Sequence, residues 1–141
     1  MVDAGLRERR ERLVRDHMDA ENRLDFDAAL ASFARPRYEL IGLGRTYDGP
    51  EAVAEYFRTS REPFPDQRNE LIALRHADDA VIVEFWLMGT HRGPLLDLAP
   101  TGRAFRVRVA AFFVFEDEGL VCERVYFDPG AILSQLTQGD R

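Results

Sequence analysis

Past residue 68 the spacing of apolar side chains changes from helical to alternating, and it stays alternating for most of the remaining chain. Segments 71–76, 80–91, 103–116 and 120–128 read as strands, with turns at Asp78-Asp79 and Asp117-Glu118-Gly119. Such short turns predict a four-stranded antiparallel meander. Strands of about ten residues or more coil under their own twist, and helices packed on the concave side then leave a blind conical space.

The helices come first. Leu6, Leu13, Val14, His17, Met18 and Glu21 recur at helical spacing on an otherwise charged segment. The sequence Asn22-Arg23-Leu24-Asp25 breaks that helix. Asp25 is placed to cap a short second one with Phe26, Ala29, Leu30 and Phe33 on its inner face. After Pro36, residues 38–41 read as a strand running into the turn-rich segment 42–49. Gly49-Pro50 opens a third helix with Ala52, Val53, Tyr56 and Phe57 inward, ending before Pro63. Segment 92–102, with two prolines and two glycines, is a loop. Segment 130–137 adds a short last helix with Ile132, Leu133 and Leu136 inward. Helices, then sheet, then tight turns favour an α+β layer structure over a parallel βαβ fold.

The length of 141 residues fits one domain spanning 1–141, with its core at about 10–137. Apolar residues make up 45% of the chain and ten are Phe, enough to build a core and line a cavity. A net charge of −6 and a pI near 5.1 argue against nucleic acid or an anionic membrane as partner, because both require a cationic face. All nineteen basic residues are Arg, and the run Arg7 to Arg15 reads as a solvated helix face laced with Glu8 and Glu11. The single Cys122 cannot form an internal disulfide, no Cys/His spacing suits structural zinc, and no signal peptide or apolar span is evident. The expectation is a cytoplasmic chain without metal or cofactor.

In order, Gly49-Pro50-Glu51-Ala52-Val53, Phe64-Pro65-Asp66, Gly89-Thr90-His91-Arg92-Gly93, Pro100-Thr101-Gly102-Arg103 and Tyr126-Phe127-Asp128 through Gln135-Leu136 resemble the SnoaL-like family of the nuclear transport factor 2-like superfamily. The resemblance covers nearly the whole chain. It implies a cone-shaped curved antiparallel sheet with three to four helices (the cystatin-like fold), frequent homodimers, and cofactor-free aldol cyclisation of polyketide esters in some members. Those cyclases carry a histidine on the penultimate strand and an aspartate on the last. Here the penultimate strand reads Val109-Ala110-Ala111-Phe112-Phe113, and Tyr126 or, two residues on, Asp128 stands at the aspartate position. Against ketosteroid isomerase, the pocket aspartate falls on Ala111 or Phe112 and the helix-one tyrosine on His17. Arg106-Val107-Arg108 lacks the carboxylate that the epoxide hydrolase pattern needs.

Strand alternation puts Arg124, Tyr126 and Asp128 on one face and Glu123, Val125 and Phe127 on the other. With the polar-aromatic trio turned inward, Asp128 becomes the candidate general acid or base and His17 or Tyr126 the polarising donor. Two other readings stand beside this. Asp128 also suits a helix cap ahead of Pro129, and His17 a satisfied core histidine. Candidate substrate-binding residues are Tyr38, Tyr56, Phe64, Glu84, Trp86, Met88, His91, Phe112 and Arg124, suited to a hydrophobic or aromatic small molecule. His91 also reads as a turn residue, Glu84 as a member of a surface ladder, and Asp66 as a partner for a backbone turn. The functional expectation is a cyclase or isomerase working by proton transfer next to a carbonyl. The alternatives are a noncatalytic ligand-binding module and a homodimerisation module using Val125, Phe127, Phe113 and Phe115.

Overall fold

The computed structural model describes residues 2–138, so Met1 and 139–141 of the expected 1–141 domain lie outside the described residues. Helix α1 (Ala4–Asn22) starts where Asp3 accepts a hydrogen bond from the Leu6 backbone N–H at 2.7 Å, and it buries Val14, His17, Met18 and Ala20. A left-handed Leu24 (φ 58°) reverses the chain, and Asp25 caps α2 (Phe26–Ala31) through Ala28 N–H. Helix α3 (Pro50–Ser60) has proline in its first turn and buries Val53 and Phe57. The last helix, α4 (Pro129–Thr137), buries Ile132 and Leu136. None of the helices among the described residues is long and apolar enough to cross a membrane.

Six strands form one curved, unclosed sheet: β1 (Arg37–Leu40), β2 (Arg45–Asp48), β3 (Arg68–His76), β4 (Ala80–Thr90), β5 (Ala104–Glu116) and β6 (Gly119–Tyr126), in the order β2-β1-β6-β5-β4-β3. The meander β3 to β6 follows the expected alternation. Segment 45–48 does not remain a turn: it pairs with β1 as the second arm of a hairpin, whose connection is a 3-10 turn at Ile41–Leu43. Four exposed-to-intermediate residues carry too little apolar pattern to announce a strand. The sheet is also not wholly antiparallel. β1 lies parallel to β6, with Tyr38 opposite Glu123.

Strand parity decides which side chains meet. On β5, Phe105, Val107, Val109, Ala111, Phe113 and Phe115 all point into the core, so Ala111 faces inward and Phe112 outward. Their partners set β4: Val81, Val83 and Phe85 are inward, and Glu84, Trp86 and Met88 take the outer face. On β6, Val114 opposes Cys122 but Phe115 opposes Leu120, leaving Val121 as an unpaired bulge residue. Leu120, Glu123 and Val125 thereby all face the core, while Arg124 and Tyr126 face out.

This reverses the expected orientation of Arg124, Tyr126 and Asp128. The reason is visible in the strand itself: the odd positions hold Val125 and Phe127, and the larger apolar gain goes to burying that face. Val125, Phe113 and Phe115 are therefore core, and Phe127 is half-buried, rather than a dimerisation surface. The arginine run at the N-terminus also holds one exception to a solvated face. Arg10 is buried, donates to the Asp117 and Asp78 carbonyls at 2.8 Å each, and lies over the Phe115 ring, tying α1 to both hairpin turns.

Candidate functional site

A cavity of about 420 Å³ lies between the concave face of the sheet and the helices. Its walls are mainly apolar, with Phe64, Phe85, Leu87, Phe105, Val109 and Ile132 among them. Four of the charged and phenolic lining groups, Glu21, Tyr38, Arg61 and Glu123, come from separate segments: the last turn of α1, β1, the residue following α3, and β6. The parallel register of β1 and β6 sets Tyr38 beside Glu123. Helical spacing sets His17 and Glu21 one turn apart on the same face of α1.

His17 stands behind these groups and is buried. Its Nε2 is 2.9 Å from Tyr38 Oη, 2.7 Å from Glu21 Oε1 and 3.0 Å from Glu123 Oε1. On its other side Nδ1 lies 2.7 Å from Ser32 Oγ, which donates to the Ala29 carbonyl at 2.6 Å. Ser32 therefore accepts from Nδ1–H, and this fixes the proton on Nδ1. Arg61 Nη2 reaches Glu21 Oε2 at 2.9 Å. Glu123 Oε1 sits near His17 but is left without a well-aligned hydrogen bond, and so is Arg61 Nε.

The charges explain how the cluster is tolerated in the interior. Burial alone would drive His17 to its neutral form, but Glu21 and Glu123 outweigh it and push the imidazole up to about 10. Burial likewise opposes the Glu21 carboxylate, yet His17 and Arg61 hold it below the usual carboxylate range. Glu123 goes the other way: burial and repulsion from Glu21 exceed the attraction of His17, so its carboxyl is raised. Burial and the two nearby carboxylates also keep the Tyr38 phenol protonated. An imidazolium and a guanidinium thus balance two carboxylates.

His17, Glu21 and Glu123 also present one nitrogen and two oxygens within 4.8 Å of one another, a set that could hold a divalent cation. A cation there would have to displace the Nε2 proton that both carboxylates retain. The arrangement fits a proton better than a metal.

Of the residues expected from sequence, Tyr38, Tyr56 and Phe64 line the cavity, and His17 joins its polar cluster. Tyr56 lies between Tyr38 and Tyr47, its ring tilted against both with centroids 4.9 Å apart on each side. The others are elsewhere. Asp128 is exposed and caps α4 by accepting from Gly130 N–H at 2.9 Å. Tyr126 is on the outer face, edge-on to Phe112. Trp86 lies beneath Arg106 and Arg108 there, Glu84 pairs with Arg75, and Met88 shares the same face. Arg124 pairs with Glu39. His91 is buried and accepts from the Thr101 backbone N–H at 3.1 Å, pinning the 92–102 loop. Asp66 binds the Thr90 backbone and hydroxyl, the turn role its position suggested.

Glu123, Arg61 and Ser32 were not among the expected site residues. Glu123 did leave a signal: it is a carboxylate at the same parity as Val125 and Phe127, and an acid on a strand's apolar face requires a buried partner. Arg61 and Ser32 follow helix ends and carry no periodicity that would mark them.

The family model described as SnoaL-like polyketide cyclase matches residues 11–136. Among solved structures, the chain is similar to a proposed SnoaL-like polyketide cyclase from Jannaschia sp. CCS1, with 17% identity, 99% of each chain covered and a TM-score of 0.86. It is similar to AclR, a proposed hydroxylase from Streptomyces galilaeus, at 17% identity with 94% of this chain and 87% of that one covered and a TM-score of 0.78. A protein with a ketosteroid isomerase-like fold from Catenulispora acidiphila, solved with trimethylamine, shares 18% identity over 90% of this chain and 93% of its own, with a TM-score of 0.78. Three different descriptions at such identities establish a shared fold. No curated protein matches the chain.

Proposed function

Because this chain belongs to the SnoaL-like polyketide cyclase family, we propose that it is a cofactor-independent cyclase or isomerase that moves a proton next to a carbonyl of an apolar or aromatic substrate. One observation carries this reading: Glu123 is a buried carboxylate on the cavity wall, ion-paired to His17 at 3.0 Å but without a well-aligned hydrogen bond at Oε1. Its raised carboxyl makes it a stronger base than a solvated glutamate. In the reaction, the Glu123 carboxylate takes the proton from the carbon next to the carbonyl, and the freed electron pair passes to the carbonyl oxygen. The resulting enolate carbon then either attacks an internal carbonyl, forming the new C–C bond, or is reprotonated at another carbon. Glu123 returns its proton to the alkoxide or carbon. Apolar walls exclude water and strengthen each of these interactions.

In this scheme Glu123 takes the role the sequence suggested for Asp128. Tyr38 stands where Tyr126 was expected, as the polarising hydroxyl, and His17 keeps the cluster charge-balanced. The test is deuterium incorporation from D₂O at the α-carbon of ethyl benzoylacetate, followed by NMR. The wild type exchanges the proton faster than buffer, and Glu123→Gln loses about a hundredfold or more of that excess. Equal rates in the two proteins would remove Glu123 as the base. The apolar walls also support a second reading, a noncatalytic carrier of a hydrophobic metabolite; binding of the same ester without any exchange would select it.

The protein acts as a homodimer through the outer sheet face, where Tyr126 is 43% exposed against Phe112. It works in a reducing compartment such as the cytoplasm, which the lone free thiol of Cys122 suits.

A further inference from the structure

His17 separates two spaces. Its Nε2 side meets the cavity cluster of Glu21, Tyr38 and Glu123. Its Nδ1 side meets Ser32 in a surface groove between α1 and α2, lined also by Arg9, Arg12, Asp16 and Arg23. The imidazole is buried, yet Ser32 at its back is only partly so. An imidazole can take a proton at one nitrogen while releasing one from the other, and here the two nitrogens face different compartments.

We propose that His17 and Ser32 form a proton port through which the cavity carboxylates exchange protons with solvent in the α1–α2 groove, independently of the cavity mouth. The imidazolium first hands its Nε2 proton to Glu123, which leaves a neutral ring protonated at Nδ1; when Glu123 returns a proton to Nε2, the Nδ1 proton passes to Ser32 Oγ. The Ser32 hydroxyl proton then leaves its bond to the Ala29 carbonyl for a groove water. One proton enters and one leaves, and no other reactant is needed. The charged and titratable groups facing His17 are Glu21 on its own helix, Glu123 on β6 and Tyr38 on β1, with Arg61 behind Glu21. None of these offers a route to the groove, because all lie on the Nε2 side. Ser32, which lines the groove beside His17, is the hydrogen-bonded link from Nδ1 to that surface, which makes it a positioning residue that also carries the proton. A substrate filling the cavity would close the mouth to water, and the port lets the acid–base pair reset while the substrate is bound.

The proposal takes its purpose from the proton-transfer reading, but its test uses no substrate, so the two fail separately. In protein with ¹⁵N-labelled histidine, solvent exchange of the two His17 ring N–H protons is measured by NMR. In the wild type, Nδ1–H exchanges faster than Nε2–H. Ser32→Val removes the hydroxyl without opening space for a water and slows Nδ1–H exchange by about tenfold or more. Ser32→Thr, of the same shape but with the hydroxyl restored, stays close to wild type. Faster exchange at Nε2–H in the wild type would place the route at the cavity mouth and overturn the proposal. So would identical rates in the folded Val and Thr variants. The wild-type comparison stands whether or not either variant folds.

Discussion

A charged histidine in the interior makes stability depend on pH in a direction set by its neighbours. His17 has its folded value raised from 6.5 to about 10, so the folded chain binds more protons than the unfolded chain between those limits. Its contribution is complete below pH 6.5 and is lost as pH rises through about 10. Glu123, also raised, acts in the same sense from the unfolded carboxylate value upward; Glu21, lowered, contributes above 4.5 and loses its contribution as pH falls through its folded value. Thermal unfolding is therefore expected to shift to lower temperature between pH 7 and pH 10, by roughly 2–4 °C for each kcal/mol lost. His17→Gln should flatten that slope. An equal slope in both proteins would show that the charge on His17 does not stabilise the fold. The legibility of single residues followed the same physics. His17 and Tyr38 were readable because each sits on an apolar stripe, whereas Glu123 was hidden by the choice of strand face.

At the level of elements, the helices and the long strands were legible because each spends enough residues on one period to declare it. What was not legible was how they join. The pairing of β1 with β6 links residues far apart in sequence, and the Val121 bulge changes parity by one position without any glycine or proline to mark it. Another join of this kind holds α4. Strand β6 pairs with β5 only from Ala110 onward, so the first half of β5 has a free edge, and Gln135 covers part of it. Its side chain accepts from Arg106 N–H at 2.8 Å and donates to Arg106 C=O at 3.0 Å, as a neighbouring strand would. Gln135→Ala should cost about 1–2 kcal/mol and loosen α4, which carries Ile132 and Leu133 on the cavity wall. Amide hydrogen exchange at Arg106 reads this directly. Unchanged protection there would show that the edge is held by something other than Gln135.

For the whole molecule, the open question of assembly has a direct answer in solution. If the outer face pairs two copies, light scattering at micromolar concentration gives twice the mass of the 16.2 kDa chain, and Tyr126→Glu restores the monomer. A wild-type monomer would leave that face without a partner copy. The wider architecture was predictable as a cone because long alternating strands must coil, but its open edge and parallel seam belong to the chain's tertiary wiring, which no local pattern encodes. That seam also governs when the buried cluster can assemble. His17 and Glu21 are synthesised well before Glu123, and β1 has no parallel partner until β6 is made. The pair α1 and α2 must wait, with its apolar face and its charges unmatched, until β6 is made. The buried polar cluster is thus closed by the last strand of the sheet, and a chain that stops short of that strand holds half of the cluster with no partner for its charges.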